Sequence, residues 1–155
     1  YCTRVGSGPF PTELLEEDGE TIRKEGNEFG STTGRPRRCG WIDLVALKYT
    51  CMINGVTKVI MTKADVLDSF SELNVCTAYG IDGKLSHQVP FGISRVKIEP
   101  HYQPFKGWHC DTTQIKSAEN VPNDMTTYID FINKYIGAPV KFVSNGPGRE
   151  QIISL

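Results

Sequence analysis

Lys58-Val59-Ile60-Met61 running directly into Thr62-Lys63-Ala64-Asp65 is the stretch on which the reading of this chain turns. A short apolar run that follows a turn signal, here Asn54-Gly55, predicts a buried strand. Open α/β sheets bind ligands beyond the carboxyl ends of their strands, so the side chains of Thr62–Asp65 are expected to emerge at such an end. A carboxylate there can accept two hydrogen bonds at once, from the N1–H and the exocyclic N2–H₂ of guanine. Adenine offers no such donor pair, and a buried acceptor left unpaired is costly, so one Asp separates the two purines. The aliphatic stem of Lys63 can lie over the purine face. The simpler reading of Asp65 is a cap on a strand-to-helix turn.

Working outward, Trp41 to about Ile53 carries apolar residues densely enough to predict a helix buried on most sides, stopped by Asn54-Gly55. Upstream of it, residues 6–12 are a rigid Gly/Pro loop, 16–25 a polar helix ended by Gly26, and 30–38 a second loop. Downstream, Leu73–Tyr79 reads as a strand, Ile81-Asp82-Gly83-Lys84 as a hairpin turn, and 85–90 as its return. Pro100 and Pro104 argue against a long central strand in 93–109. Asn123 or Asp124 can cap a helix to about Ile136, with Tyr128, Phe131, Ile132, Tyr135 and Ile136 on one face and Gly137 closing it. Val140–Val143 is a strand, and 149–154 the last one. The order predicts α/β with an antiparallel insertion, in a loop–helix segment 1–56 and an α/β segment 57–155.

The second candidate site is Gly30-Ser31-Thr32-Thr33-Gly34-Arg35-Pro36-Arg37-Arg38. Backbone N–H groups and Thr hydroxyls suit carboxylate or phosphate oxygens, and Arg forks bind them bidentately. The helix starting near Trp41 is expected to add its positive end. A nucleic-acid patch through Arg35, Arg37 and Arg38 is the rival, set against a net charge of −1, a short run and no neighbouring aromatics for stacking. A merely solvated loop is the third possibility. Ser144-Asn145-Gly146-Pro147, just past a strand, suits a purine contact, though Asn-Gly is also a common turn dipeptide. Gly6-Ser7-Gly8-Pro9 is not a phosphate loop, because no G-x-x-x-x-G-K-[ST] string occurs. His87, His101 and His109 lack metal-ligand spacing. The acidic residues Glu13, Glu16, Glu17, Asp18 and Glu20 read as a solvated helix face.

Five cysteines, an odd number with no C-x-x-C pair, argue against a disulfide framework and for a reducing compartment. No apolar run approaches the roughly 18 residues of a membrane span. The opening Tyr1-Cys2-Thr3-Arg4-Val5-Gly6, without Met, reads as the start of a piece of something larger.

Taken together the motifs resemble adenylosuccinate synthetase. The resemblance runs through Arg4–Glu13, Gly26–Asp43, Thr62–Asp68 and Gly146–Glu150, nearly the whole chain. It implies the C-terminal part of a P-loop-NTPase-like sheet with an antiparallel hairpin insertion, roughly the last third of a cytoplasmic, homodimeric, GTP-dependent ligase. In that family GTP phosphorylates the 6-oxygen of IMP, and the amine of L-aspartate then displaces the phosphate. The resemblance assigns Ser31, Thr32, Thr33, Gly34, Arg35, Pro36 and Arg37 to the aspartate loop. Arg35 would also contact IMP and Arg37 the GTP phosphates. Lys63, Ala64 and Asp65 would meet guanine on one side, and Ser144, Asn145 and Gly146 on the other. Mg²⁺, the proton-abstracting Asp and the general-acid His would belong to the missing part, so that the chain alone is expected to be inactive, with no nucleic-acid or membrane partner. The alternative is a non-catalytic guanine-nucleotide-binding module. Ala64 and Gly148 stand where the family usually has Leu and Asp.

Overall fold

A computed structural model describes residues 1–155. In chain order the elements are β1 (Cys2–Arg4), α1 (Glu17–Glu25), β2 (Arg38–Gly40), β3 (Ile42–Asp43), α2 (Leu44–Ile53), β4 (Val59–Met61), β5 (Glu72–Ile81), β6 (Lys84–Ser86), β7 (Glu99–Lys106), α3 (Asn123–Ile136), β8 (Val140–Ser144) and β9 (Ile152–Ser154). They form two compact units, Tyr1–Tyr49 with Asn74–Pro104, and Thr50–Leu73 with Phe105–Leu155. Each unit is therefore assembled from two separate stretches of the chain.

In the first unit β1 pairs antiparallel with β2, Cys2 opposite Gly40 and Arg4 opposite Arg38. Gly40 runs so close to the backbone of Thr12 that a Cβ there would lie 2.1 Å from its carbonyl oxygen. β3 lies parallel to β5, Asp43 opposite Cys76, and β5 turns back into β6. Asp82 (φ 48°) and Gly83 (φ 75°) are both left-handed, as a two-residue hairpin with the natural strand twist requires. Val45, Cys76 and Tyr79 form the buried core, with Ile81, Val89 and Ile98 against it. α1 places Glu17, Asp18 and Glu20 in its first turn and Arg23 and Lys24 in its last, matching the helix dipole.

The second unit contains the sheet β4-β8-β9, with β4 parallel and β9 antiparallel to β8. Val59 faces Val140 but Ile60 faces Phe142, so Lys141 is an extra residue. That bulge lets Val140 and Val143 both be buried although they are three apart. In α3 the buried residues Met125, Tyr128, Ile129, Ile132 and Ile136 follow helical spacing on one face. Tyr128 and Phe131 meet Phe105 at ring-centroid distances of 5.7 and 4.9 Å. Gly137 (φ 75°) closes the helix, and Asn133 Oδ1 accepts the Val140 N–H at 2.7 Å.

Several expectations need correction. α2 starts at Leu44, not near Trp41, because Asp43 accepts the Ala46 N–H (3.0 Å) and fixes the cap there. Nor is it buried on most sides, since Tyr49, Met52 and Ile53 are exposed. β4 is an edge strand of its sheet and leaves Ile60 62% exposed, so the apolar run is not a buried strand. Glu99–Lys106 is a strand of eight residues despite Pro100 and Pro104. It pairs only with β5, and an edge strand tolerates the missing N–H groups. Neither Asn123 nor Asp124 caps α3; both lie within it, and Pro122 holds the cap position without a side-chain bond. All five cysteines are free thiols, and no helix is long and apolar enough to cross a membrane.

Candidate functional site

The arginine loop is a closed hairpin. Gly30 N–H donates to the Arg35 carbonyl (2.9 Å), Gly34 N–H to the Gly30 carbonyl (2.8 Å), and Arg37 N–H to the Glu28 carbonyl (2.9 Å). Gly34, at φ 63°, supplies the left-handed step that closes it. The tip, Ser31–Pro36, is exposed. With Arg4, Val5, Gly6 and Ser7 the loop lines a cavity of about 730 Å³.

The three arginines have separate environments. Arg38 forks onto Glu13 (2.8 and 2.5 Å) and donates to the carbonyls of Gly6 (3.0 Å) and Gly8 (2.7 Å), with its guanidinium 5.6 Å from the Phe10 ring centroid. That bond to Arg38 pulls the Glu13 carboxyl below its ordinary pKa. Glu13 is therefore not part of a solvated helix face. Arg37 donates through Nη1 to Glu28, which is buried (2% exposed) and also accepts from Tyr1. Its Nε is buried with no partner. Of the three only Arg35 is exposed, while Arg37 and Arg38 are part-buried and ion-paired. The positive end of α2 is not available either, being capped by Asp43.

At the other candidate site β4 ends at Met61, and Lys63 in a left-handed conformation (φ 58°) turns the chain into a single 3₁₀ turn, Ala64–Leu67. Ala64, Val66 and Leu67 are buried and anchor that turn. Asp65 is held with Oδ1 buried and unpartnered, and burial raises its carboxyl pKa. Met61 is paired with Val143 on the parallel strand β8, so Ser144-Asn145-Gly146 leaves the same end of the sheet. Asn145 is fully buried, and its amide donates to the carbonyls of Thr112 and of Ile115 (3.0 Å). Two carbonyl acceptors fix the amide orientation, which leaves Oδ1 buried and without a partner. The loop itself is tightened by Ser144 Oγ donating to the Gly146 carbonyl (3.1 Å) and Gly148 N–H to Gln151 Oε1 (2.8 Å). Buried polar side-chain atoms without partners are uncommon, and two of them lie in the turns that leave this end of the sheet.

Sequence reasoning missed Asp68, Trp108 and Thr112. Asp68 accepts from Trp108 Nε1 (2.7 Å), Thr112 N–H (2.7 Å) and Thr112 Oγ1 (2.9 Å). The available signal was the second Asp, three residues after Asp65.

This is an α/β protein of the class that gathers ligand-binding loops at the carboxyl ends of parallel strands. Residues 1–153 match the adenylosuccinate synthetase family, and the chain belongs to it. It is 53% identical to the adenylosuccinate synthetase of Christiangramia forsetii and 54% identical to that of Flavobacterium psychrophilum, each over 154 residues, 99% of this chain and 36% of the relative. A solved structure of fully ligated adenylosuccinate synthetase from Plasmodium falciparum superposes with a TM-score of 0.94 at 37% identity, covering 100% of this chain and 38% of that one. The chain thus spans a little over a third of the length of the relatives it matches.

Proposed function

We propose that this chain supplies the guanine-reading site and the aspartate- and IMP-binding loop of an adenylosuccinate synthetase, a GTP-dependent ligase of purine nucleotide synthesis. One observation carries the reading: Asp65 Oδ1 and Asn145 Oδ1 are buried without partners at the carboxyl ends of the paired strands β4 and β8. Guanine brings the N–H donors such acceptors lack, at N1 and at the 2-amino group. Asp65 takes the paired donors, Lys63 and Ala64 flank the base, and Ser144, Asn145 and Gly146 line its other side.

In the arginine loop, Ser31, Thr32, Thr33, Gly34 and Pro36 shape the aspartate site, where hydroxyls and backbone N–H groups suit carboxylate oxygens. Arg35 is exposed to meet aspartate and IMP. Arg37 keeps a partnerless Nε donor for an anionic oxygen while Glu28 fixes its other end. In the reaction, the γ-phosphoryl group of GTP passes to the 6-oxygen of IMP. The aspartate amine then attacks C6, and inorganic phosphate leaves. Cationic forks positioned around the anionic oxygens stabilise charge that develops in both steps. Phosphate-loop and metal chemistry belong to the rest of the enzyme, and the chain alone does not turn over.

The test is adenylosuccinate formation from IMP, aspartate and GTP, by this chain and by the full-length enzyme. Activity confined to the full-length protein, lost with ATP or with Asp65→Ala, is the expected result. GTP binding by the chain without product from either protein would favour a non-catalytic nucleotide module instead.

A further inference from the structure

The two halves of the proposed guanine site come from stretches about eighty residues apart in sequence, yet a continuous run of hydrogen bonds joins them. It starts in the turn that carries Asp65, where Asp68 N–H donates to the Asp65 carbonyl at 3.1 Å. The Asp68 carboxylate receives Trp108 Nε1–H through Oδ1 and Thr112 N–H through Oδ2, both at 2.7 Å, and is also approached by Thr112 Oγ1. The Thr112 and Ile115 carbonyls then receive the amide of Asn145, in the loop that would line the opposite side of the base. Gln151 adds a parallel tie, donating Nε2–H to the Thr113 carbonyl (3.2 Å) while its Oε1 accepts from Gly148.

Each link is placed to transmit position. Trp108 is buried and stacks edge-on against Tyr128 at 5.8 Å, so the Asp68 bond ties the turn to the α3 core. Gly107 makes this possible, since a Cβ there would lie 1.8 Å from the Phe70 carbonyl oxygen. Thr112 and Asn145 are both fully buried. The Asp68 carboxylate accepts from Trp108 and Thr112, and its link to the Asp65 turn is through the backbone.

We infer that Asp68, through Thr112 and Asn145, is a positioning residue that fixes the distance between the Asp65 turn and the Ser144–Gly146 loop and so sets discrimination for guanine. This rests on the guanine reading proposed above. A carboxylate is needed because it accepts from three donors at once; an amide would set its own N–H₂ against one of them.

The experiment uses the full-length enzyme carrying Asp68→Asn, Thr112→Val, Thr112→Ser or Asp65→Ala, with kcat and KM measured for GTP, for inosine triphosphate (which lacks the 2-amino group) and for IMP. Asp68→Asn and Thr112→Val are expected to raise the KM for GTP by about tenfold, with little change in kcat or in the KM for IMP. They should also reduce the preference for GTP over inosine triphosphate. Thr112→Ser, which keeps the hydroxyl, restores both. A purely structural role would lower kcat for every substrate together and leave the GTP preference intact, which overturns the inference. If Asp65→Ala removes the preference while Asp68→Asn and Thr112→Val do not, the positioning role alone is lost. If Asp65→Ala itself leaves GTP kinetics unchanged, the guanine reading fails and takes this inference with it.

Discussion

Arg37 and Glu28 are joined by an Nη1–Oε2 bond of 2.9 Å in which the carboxylate is almost wholly buried and the guanidinium is only half so. The bond bridges the two arms of the arginine-loop hairpin at its base, beside the Arg37 N–H to Glu28 carbonyl bond. Arg37 is thereby held at one end while its Nε remains unpartnered.

Removing the cation strands a buried carboxylate, and that asymmetry gives the first prediction. Arg37→Ala should destabilise the protein by about 1–3 kcal/mol, below the full cost of breaking a buried pair because Arg37 is partly solvated. Glu28→Gln in the same background should recover much of the loss, since the neutral amide no longer needs a counter-charge. Urea unfolding of the single and double variants measures both quantities. Equal destabilisation by the single and double variants would refute the argument.

Tyr79 and Asp43 make a second buried relationship, with the phenol donating to Asp43 Oδ2 while Oδ1 caps α2. Burial raises the pKa of Asp43, and burial together with the adjacent carboxylate raises that of Tyr79 well above its ordinary value. Tyr79→Phe leaves Oδ2 unpaired and should cost about 1–3 kcal/mol at neutral pH. Because the folded-state pKa of Asp43 is raised, its contribution favours folding at low pH and is lost as pH rises through that pKa. The ionised carboxylate is the form that needs the phenol. The gap between Tyr79→Phe and the parent should therefore narrow as pH falls into the carboxylate range, as thermal unfolding at a series of pH values would show.

Asp65 gives a functional pH dependence of definite sign. Burial raises its pKa in the unliganded protein, whereas two guanine N–H donors favour the ionised form. Binding guanine is thus expected to release a proton near that raised pKa, and affinity to fall as pH drops through it. In the full-length enzyme the KM for GTP should climb over this window more steeply than the KM for IMP. Asp65→Asn should bind GTP poorly at all pH values and lose the slope. The same slope in both proteins would assign the titration to another group.

The elements that sequence made legible are those whose signal is local. Gly26 and Gly137 end helices, Asp82-Gly83 makes a hairpin turn, and the α3 face follows a helical period. Family membership was legible too, because the motifs are continuous strings. What escaped depends on partners distant in sequence. Ile42-Asp43 looked helical by composition but is drawn into pairing with Val75-Cys76, which leaves Asp43 to begin α2. The proline strand was hidden because edge position, not composition, decides whether proline is tolerated. Within the sites, Lys63, Asp65 and Asn145 stood out as residue types at strand ends. Asp68, Trp108 and Thr112 did not, because their bonds span about forty residues and no short pattern encodes them.

Arg38 and Glu13 supply the last prediction, because their fork is also what secures the wall of the cavity beside the arginine loop. Arg38 donates to Glu13 and to the carbonyls of Gly6 and Gly8 together, a set of directions that only a guanidinium covers. Arg38→Lys keeps the charge but can satisfy only part of that set, and should cost about 1–2 kcal/mol at neutral pH given the partial exposure of the pair. Glu13 has its pKa lowered in the folded protein, chiefly by its bond to Arg38. Its stabilising contribution is therefore present above the unfolded-state pKa and lost as pH falls through the lowered folded value. Unfolding experiments should show the parent and Arg38→Lys converging in acid, the parent losing more of its stability over that interval. Because the carbonyl bonds of Arg38 do not titrate, some difference should remain after Glu13 is protonated. Complete convergence would mean that Arg38 contributes through Glu13 alone and that the Gly6–Gly8 wall stands without it.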